Sequence, residues 1–339
     1  MSWHRAIRLA SWIMLAFLLT VAATWATLAL WYRLPASEFM RALVAGLFAL
    51  LSASAMAGLF TRWRLRAAAA YVLTFAVVVG WWNSIEPPRD GTWAADVARQ
   101  ATGTIDGDVL TLFNVRDFEW RSSTEAVNQR WMTRTYDLSK LRTLDLIMSY
   151  WSGPEIAHVI FSFGFDDGEQ LAWSIEVRRS EGGAFSPLAD LFKSNPMVLI
   201  AAEERDVVGV RSNFRGEDVQ LYRLRASPKQ MRSLLREYVT DANALAETPQ
   251  FYNSLTSNCT TTVLKMMRVV GASVPLDWRL IINGYLPEYA YERGALNNSV
   301  PLDELRASSH IGERARRDGL SPKFSKEIRV GVSSNSGAP

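Results

Sequence analysis

The first 85 residues carry three stretches almost free of charge, Leu9 to Tyr32, Ala42 to Thr61 and Ala67 to Ile85. At about 24, 20 and 19 residues, each is close to the ~20 a helix needs to cross the hydrocarbon core of a bilayer. No ordinary soluble fold absorbs three such segments in a row. The first is too long for the apolar part of a signal peptide and has no clean small-x-small site behind it, so it reads as an uncleaved anchor. Trp12, Trp31, Tyr32, Trp63, Trp81 and Trp82 lie near the ends of the stretches, where amphipathic rings favour the headgroup level.

Arginine placement sets the orientation. Arg5 and Arg8 precede the first span, and Arg62, Arg64 and Arg66 lie between the second and third, against only Arg33 and Arg41 in the other short loop. By the positive-inside rule the N-terminus is cytoplasmic. Three spans then put everything after Ile85 on the far side, which in a bacterium is the periplasm beyond the inner membrane. Glu86 to Gly91, with Pro87 and Pro88, reads as a short stiff exit from the bilayer.

Over all 339 residues the chain is 49% hydrophobic and 21% charged, with a net charge of +3 and a pI near 9.0. The arginines are spread along it without a basic block, so nucleic acid is not an expected partner. One cysteine excludes an intramolecular disulfide framework and a multi-thiolate zinc site, and three histidines leave few metal ligands. No HExxH-like spacing occurs, and neither a metal nor a cofactor is expected.

Downstream of the anchor, Asp108 to Arg121 has β-branched and aromatic residues suited to a strand pair, and Leu144 to Trp151 reads as a further strand. Ala157 to Arg179 reads as a hairpin. A three-residue loop Asp166-Asp167-Gly168, with glycine in the left-handed position, would make a type I turn with a bulge. That loop fixes the register: Phe165 opposite Glu169, Phe163 opposite Leu171, Phe161 opposite Trp173 and Val159 opposite Ile175, giving one apolar face. On the other face Ile160 falls beside Ser174 and His158 beside Glu176, so a carboxylate is expected within reach of His158. Ser227-Pro228 is an N-cap followed by proline at the first helical position, and Met231, Leu234, Leu235, Tyr238, Ala242 and Leu245 recur at helical spacing. A second helix starts at Ser257-Asn258-Cys259, with Val263, Met266, Met267 and Val270 on one side and Gly271 as its stop. The last dozen residues are polar and read as frayed.

The scarce chemical inventory narrows the reactive groups. Thiolate is the reactive form of cysteine, and a helix N-terminus lowers a thiol's pKa, so Cys259 has the setting of a nucleophile whose neighbouring amides could hold an oxyanion. His4 lies across the membrane, leaving His158 on a rigid strand and His310 in the polar segment ASSHIGERA as bases, and rigid placement favours His158. The plain readings stand beside these: Cys259 as a small buried hydrophobe, His158 as a strand histidine on a carbonyl, and Glu176 either orienting His158 or paired with Arg178 or Arg179. The charged run Glu203, Glu204, Arg205, Asp206 with Arg211 and Arg215 reads first as a solvated salt-bridge cluster and second as an anionic headgroup site. Tyr285, Tyr289 and Tyr291 read as core, with an acyl groove as the second reading.

AHVIFSFGF, SIEVRR, EERDVVGVRSNFR and FYNSLTSNCTT, taken in order, resemble the hallmark blocks of the bacterial Lnb-type periplasmic domain family, over roughly Asp108 to Arg293. That family resembles a papain-like thiol fold with the histidine strand ahead of the cysteine helix, an order shared with the lecithin-retinol acyltransferase group. Members called Lnb are implicated in lipoprotein N-acylation, in which a cysteine takes an acyl chain from a phospholipid and an N-terminal amine accepts it. The resemblance implies Cys259 as nucleophile and His158 as its base. Asn258, Tyr252 and Arg178 in the same blocks are the expected substrate contacts. The chain departs from the family in domain order, because Lnb proteins carry their membrane helices after the periplasmic domain.

The expected architecture is α+β: a three-helix membrane anchor over residues 1–86, a papain-like Cys-His domain over 87–330 and a disordered tail over 331–339. The expected function is a membrane-anchored periplasmic thiol acyltransferase, with membrane phospholipid and lipoproteins as partners. The alternatives are a papain-like amidase or protease on cell-envelope amides, and a non-catalytic tethered binding or assembly domain in which Cys259 is core.

Overall fold

The computed structural model describes residues 3–269 and 274–332. The chain divides into two units, Met1–Pro87 with Ser186–Ser194, and Pro88–Phe185 with Asn195–Pro339.

The first unit is built on three helices, α1 (Trp3–Arg33), α2 (Glu38–Gly58) and α3 (Arg64–Ser84), each long and apolar enough to cross a membrane. The helices reach beyond the charge-free windows. Ser37 caps α2 by accepting a hydrogen bond from Met40 N, so the helix starts at Glu38 rather than Ala42 and closes at Gly58. Arg64 and Arg66 lie in the first turn of α3 rather than in a loop, because arginine is a good helix former and a charge-free window detects only the apolar part. The helices meet through small residues, with Ala23, Ala26, Ala29, Ala45 and Ala55 buried, as close approach in lipid requires. Leu47, Leu50, Val72, Leu73 and Val77 are exposed on the outside, the pattern expected of helices that face hydrocarbon. Ser186–Ser194 packs with this unit: the Phe192 ring stacks on Tyr32 at 5.4 Å, and Lys193 Nζ donates to Trp82 O at 2.8 Å.

The second unit is organised by an eight-stranded sheet. Its strands are β1 (Thr102–Asp106), β2 (Val109–Trp120), β3 (Ala126–Asp137), β4 (Leu141–Tyr150), β5 (Ala157–Phe165), β6 (Gln170–Val177), β7 (Met197–Ala202) and β8 (Asp218–Arg223). The order is β1-β2-β7-β6-β5-β4-β8, with β3 also on β2. Asp108–Arg121, expected as a strand pair, instead forms the single long strand β2, which bulges where Asn114 takes a positive φ.

The β5–β6 hairpin has the expected register, with Phe163 opposite Leu171, Phe161 opposite Trp173 and Ile160 opposite Ser174. Gly168 takes a φ of +89° in its turn. The apolar face of this hairpin enters the main core against α5 (Pro228–Glu247), where Tyr238 packs on Trp173 and Phe163. Helix α5 opens with a complete capping box between Ser227 and Gln230.

The opposite sheet face is covered by α4 (Glu204–Val207), a π-helical turn over Val210–Arg215 and the C-terminal helices. Between them run α6 (Cys259–Val269) and α7 (Leu286–Glu292), followed by α8 (Leu302–Ser309), α9 (Gly312–Asp318) and α10 (Phe324–Glu327). Gly271 and Val270 lie outside the described residues, as do the side chains of Val263 and Met266. The chain stays packed further than its polar composition implies: Ile328 is fully buried, and Arg329 meets Glu204 and Asp145. Of the expected tail, Val332 packs against the second core, and 333–339 lie outside the described residues.

Candidate active site

The sequence SNCTT starts a helix because Asn258 is a strong N-cap. Its Oδ1 accepts from Thr260 N at 2.9 Å and Thr261 N at 3.0 Å, while Asn258 N donates back to Thr261 Oγ1 at 2.8 Å. Cys259 is thereby the first residue of α6 and is buried, 5% exposed. Its own N–H has no acceptor among the described residues.

The sheet opens to receive it. Backbone pairing between β5 and β6 ends at Ile160–Ser174, while β6 stays paired with β7 as far as Val177. Asn283 Nδ2 donates to the Cys259 sulfur at 3.9 Å, and the His158 imidazole, the Val159 N–H and the Thr260 hydroxyl all favour its thiolate form.

The imidazole is held from its far side. His158 Nε2 lies 2.7 Å from Ser174 Oγ and 3.3 Å from Glu176 Oε1, and Ser174 Oγ donates to the same Oε1 at 2.7 Å. Nε2 is thus engaged with the hydroxyl and carboxylate, and Nδ1 is the ring nitrogen left for the thiol. Glu176 is fixed by Arg211, whose Nη2 donates to Oε1 at 2.8 Å while Nη1 donates to Val207 O at 2.7 Å. Arg211 belongs to the π-helical turn, a deviation found often at functional sites. Glu217 stands 3.9 Å from Arg211 Nε and accepts from Ser149, the strand partner of His158.

Burial works against charge on the imidazole, yet the Glu176 carboxylate outweighs it and lifts His158 to about 9 from its ordinary 6.5. Burial likewise opposes the Glu176 carboxylate, and His158 with Arg211 brings it well below the usual carboxylate range. For Cys259, burial pushes the thiol up, and the hydrogen bond and charge of His158 bring it net below its ordinary value. These directions describe a thiolate–imidazolium pair, the nucleophile-and-base arrangement of covalent catalysis.

Of the expected site residues, Cys259, His158, Glu176 and Asn258 come together. Tyr252 lies in the main core with its N–H on Asn195 O. Arg178 lies over the Trp93 ring at 4.9 Å and donates to Ala98 O at 2.7 Å. Arg179 pairs with Asp96, so Glu176 takes its guanidinium from Arg211 rather than from either neighbour on its own strand. His310 bonds Asp218 at 2.7 Å on the edge strand β8.

The charged run is not solvated: Glu204, Asp206 and Arg211 are buried, and Asp206 accepts from Arg116, Phe118 N and Trp120. Tyr289 is core, Tyr291 packs against it with its hydroxyl on Val300 O, and the Tyr285 ring lies 5.2 Å from Trp278.

Sequence reasoning missed Asn283. Its side chain pairs with both backbone groups of Ala157, at 3.0 and 2.8 Å, and donates to Thr260 Oγ1 at 2.8 Å. It therefore staples the start of the histidine strand to the cysteine helix. Gly284 makes this possible, since a Cβ there would lie 2.0 Å from Pro154 O. No composition or spacing signal marks that residue pair. Ser174 and Arg211 had signals, the first by sharing a strand face with Glu176 and the second as a lone charge within VVGVRS.

A cavity of about 300 Å³ lies along α6, lined by Met197, Leu199, Ala244 and Leu245 on one side and by polar side chains that include Asp241, Gln250, Thr261 and Lys265 on the other; Cys259 and His158 are not part of its lining. Among the described residues no group of three His, Cys, Asp or Glu side chains could hold a metal ion.

Residues 128–284 match the family model of the Lnb N-terminal periplasmic domain. This segment is an Lnb-type periplasmic domain. It takes in His158, Glu176, Arg211, Cys259 and Asn283. The chain thus joins an Lnb-type periplasmic domain to three helices long and apolar enough to cross a membrane. Neither the curated proteins nor the solved structures return a match.

Proposed function

We propose that this protein is a thiol acyltransferase of the bacterial inner membrane, working through a thioester on Cys259. The supporting observation is the buried chain Cys259–His158–Ser174/Glu176–Arg211, which holds a nucleophile, its base and an orienting carboxylate in one line. In the first half-reaction the Cys259 thiolate attacks the ester carbonyl of a phospholipid. The ester C–O bond breaks, and the lysolipid alcohol leaves with the proton given by the His158 imidazolium. In the second, an amine attacks the thioester carbonyl, passes its proton to His158 and expels the thiolate. Both tetrahedral intermediates carry an oxyanion for which the unpaired Cys259 N–H at the helix start is a donor.

Three helices long and apolar enough to cross a membrane favour a lipid donor, since they tether the domain to a bilayer. The acceptor of this reading is an amine such as a lipoprotein N-terminus. Intact mass and peptide mapping of protein purified from membranes test it: an acyl adduct on Cys259, removed by hydroxylamine and accumulating with labelled phospholipid, is expected. Failure to acquire label under those conditions, with cleavage of envelope amides instead, would replace it by the amidase reading.

A further inference from the structure

We propose that the apolar rim beside Cys259 docks on the surface of a phospholipid bilayer, so that the domain takes its lipid directly from the membrane plane. The rim is formed by two segments that the fold brings together. One is the β4–β5 connection, with Trp151 and Ile156 exposed, and the other runs from Leu276 to Ile282, where Leu276 is 91%, Ile281 73% and Trp278 56% exposed. They are held side by side by Gly284 N donating to Glu155 O at 2.9 Å and by the Tyr150 hydroxyl donating to Gly284 O at 2.7 Å. Asn283, which links Ala157 to Thr260, follows directly on the second segment, so the rim borders the nucleophile.

Large apolar side chains grouped at such exposure mark an interaction surface on a soluble domain. Two tryptophans among them fit the headgroup level of a bilayer, where the ring is half solvated and half buried.

The occupant follows from chain connectivity. The chain passes between the membrane helices and this domain at 87/88, 185/186 and 194/195. Each crossing is joined to one end of the sheet, because Trp93 bridges Ser180 just beyond the last residue of β6, and Asn195 lies two residues before β7. Tyr150 and Ala157, which flank the first rim segment, are paired at that same end. The covalent tethers to the bilayer and the rim thus leave the sheet from one end, while the β5–β6 turn lies about 30 Å away along the strands.

This inference rests on the proposed lipid donor only for its purpose, and its primary test does not use the chemistry. Full-length protein carrying Cys259→Ser is given a single fluorophore through Ile281→Cys, or through Asp167→Cys in the β5–β6 turn, and reconstituted in phospholipid nanodiscs containing doxyl-labelled lipid. Strong quenching at position 281 with little at 167 is expected. Equal quenching at the two positions, or a probe at 281 that is shielded from both lipid and aqueous quenchers as a protein partner would make it, overturns the proposal.

In the protein with its native cysteine, Leu276→Asp with Ile281→Asp should slow acylation of Cys259 from bilayer phospholipid about tenfold or more. Acylation by a soluble short-chain ester should be unchanged. Equal loss with both donors would assign the rim to folding and overturn docking, whereas absence of acylation by either donor in unsubstituted protein would count against the thioester alone.

Discussion

The soluble domain holds two histidine–carboxylate pairs with similar contact geometry and different surroundings. His310 meets Asp218 at 2.7 Å with both side chains about half exposed, and His158 meets Glu176 at 3.3 Å with exposures of 14% and 18%. At the edge strand, water screens the pair, and such pairs contribute little. Beside α6 the pair is shielded, its carboxylate oxygen is shared by Ser174 and Arg211, and the other ring nitrogen faces a thiol. A carboxylate near a histidine is therefore no mark of chemistry by itself. The distinction lies in burial, in a second cation that keeps the carboxylate ionised, and in a buried thiol beside the ring.

The sharpest way to break the comparison is to remove each ring. His158→Ala should lower the rate of Cys259 acylation by about 10²–10⁴, the usual reach of general acid–base catalysis, whereas His310→Ala should leave it within about twofold. Comparable losses in the two variants, in a gel or mass assay of acyl-enzyme, would dissolve the distinction.

Arg211→Met comes next, since it strands the buried Glu176 carboxylate. Removing one partner of a buried pair typically costs about 3–5 kcal/mol, and a clear fall in the urea midpoint of the detergent-solubilised protein is expected. An unchanged midpoint would mean that water already reaches Glu176.

Asn283→Ala should destabilise by about 1–3 kcal/mol, leaving the Ala157 backbone groups unpaired. It should also slow alkylation of Cys259 by iodoacetamide, which a purely remote defect would not do.

A pH series separates the pairs without mutation. The imidazolium of His158 survives until about pH 9 and Cys259 ionises below its ordinary value. Acyl transfer should therefore fall as pH rises through about 9, while alkylation of the thiolate should not fall there. For stability, the raised His158 contributes fully below its ordinary 6.5 and loses that contribution as pH rises through about 9. Glu176, held low, contributes above its ordinary 4.5 and loses that contribution as pH falls towards its lower folded value. A thiol titrating at or above its ordinary position would remove the ion pair altogether.

Much of this site was readable because two periodicities act locally. The Asp166-Asp167-Gly168 turn sets a period-two register that carries His158 to Glu176, and Asn258 at a helix start puts Cys259 in the first turn. The apolar spacing from Met231 to Leu245 likewise predicts the buried face of α5. Arg211, 35 residues from its carboxylate, and Asn283, 126 residues from Ala157, are joined only by tertiary packing. Local pattern carries no trace of such distant partners, which is why the strand itself offers Glu176 only Arg178 or Arg179 as ion-pair partners and why the charged run reads as solvated. Nothing in the local pattern of Ser186–Ser194 ties it to the three N-terminal helices with which it forms one unit, as the stacking of Phe192 on Tyr32 shows.

Val159 N–H, at the point where β5 and β6 part, favours the thiolate form of Cys259. In the proposed acyl-enzyme that sulfur would be neutral and a weaker acceptor, so this amide would trade its proton with solvent more readily while the acyl group is in place. Deuterium uptake at a single backbone position would then act as a built-in gauge of how much of the population is waiting for its acceptor.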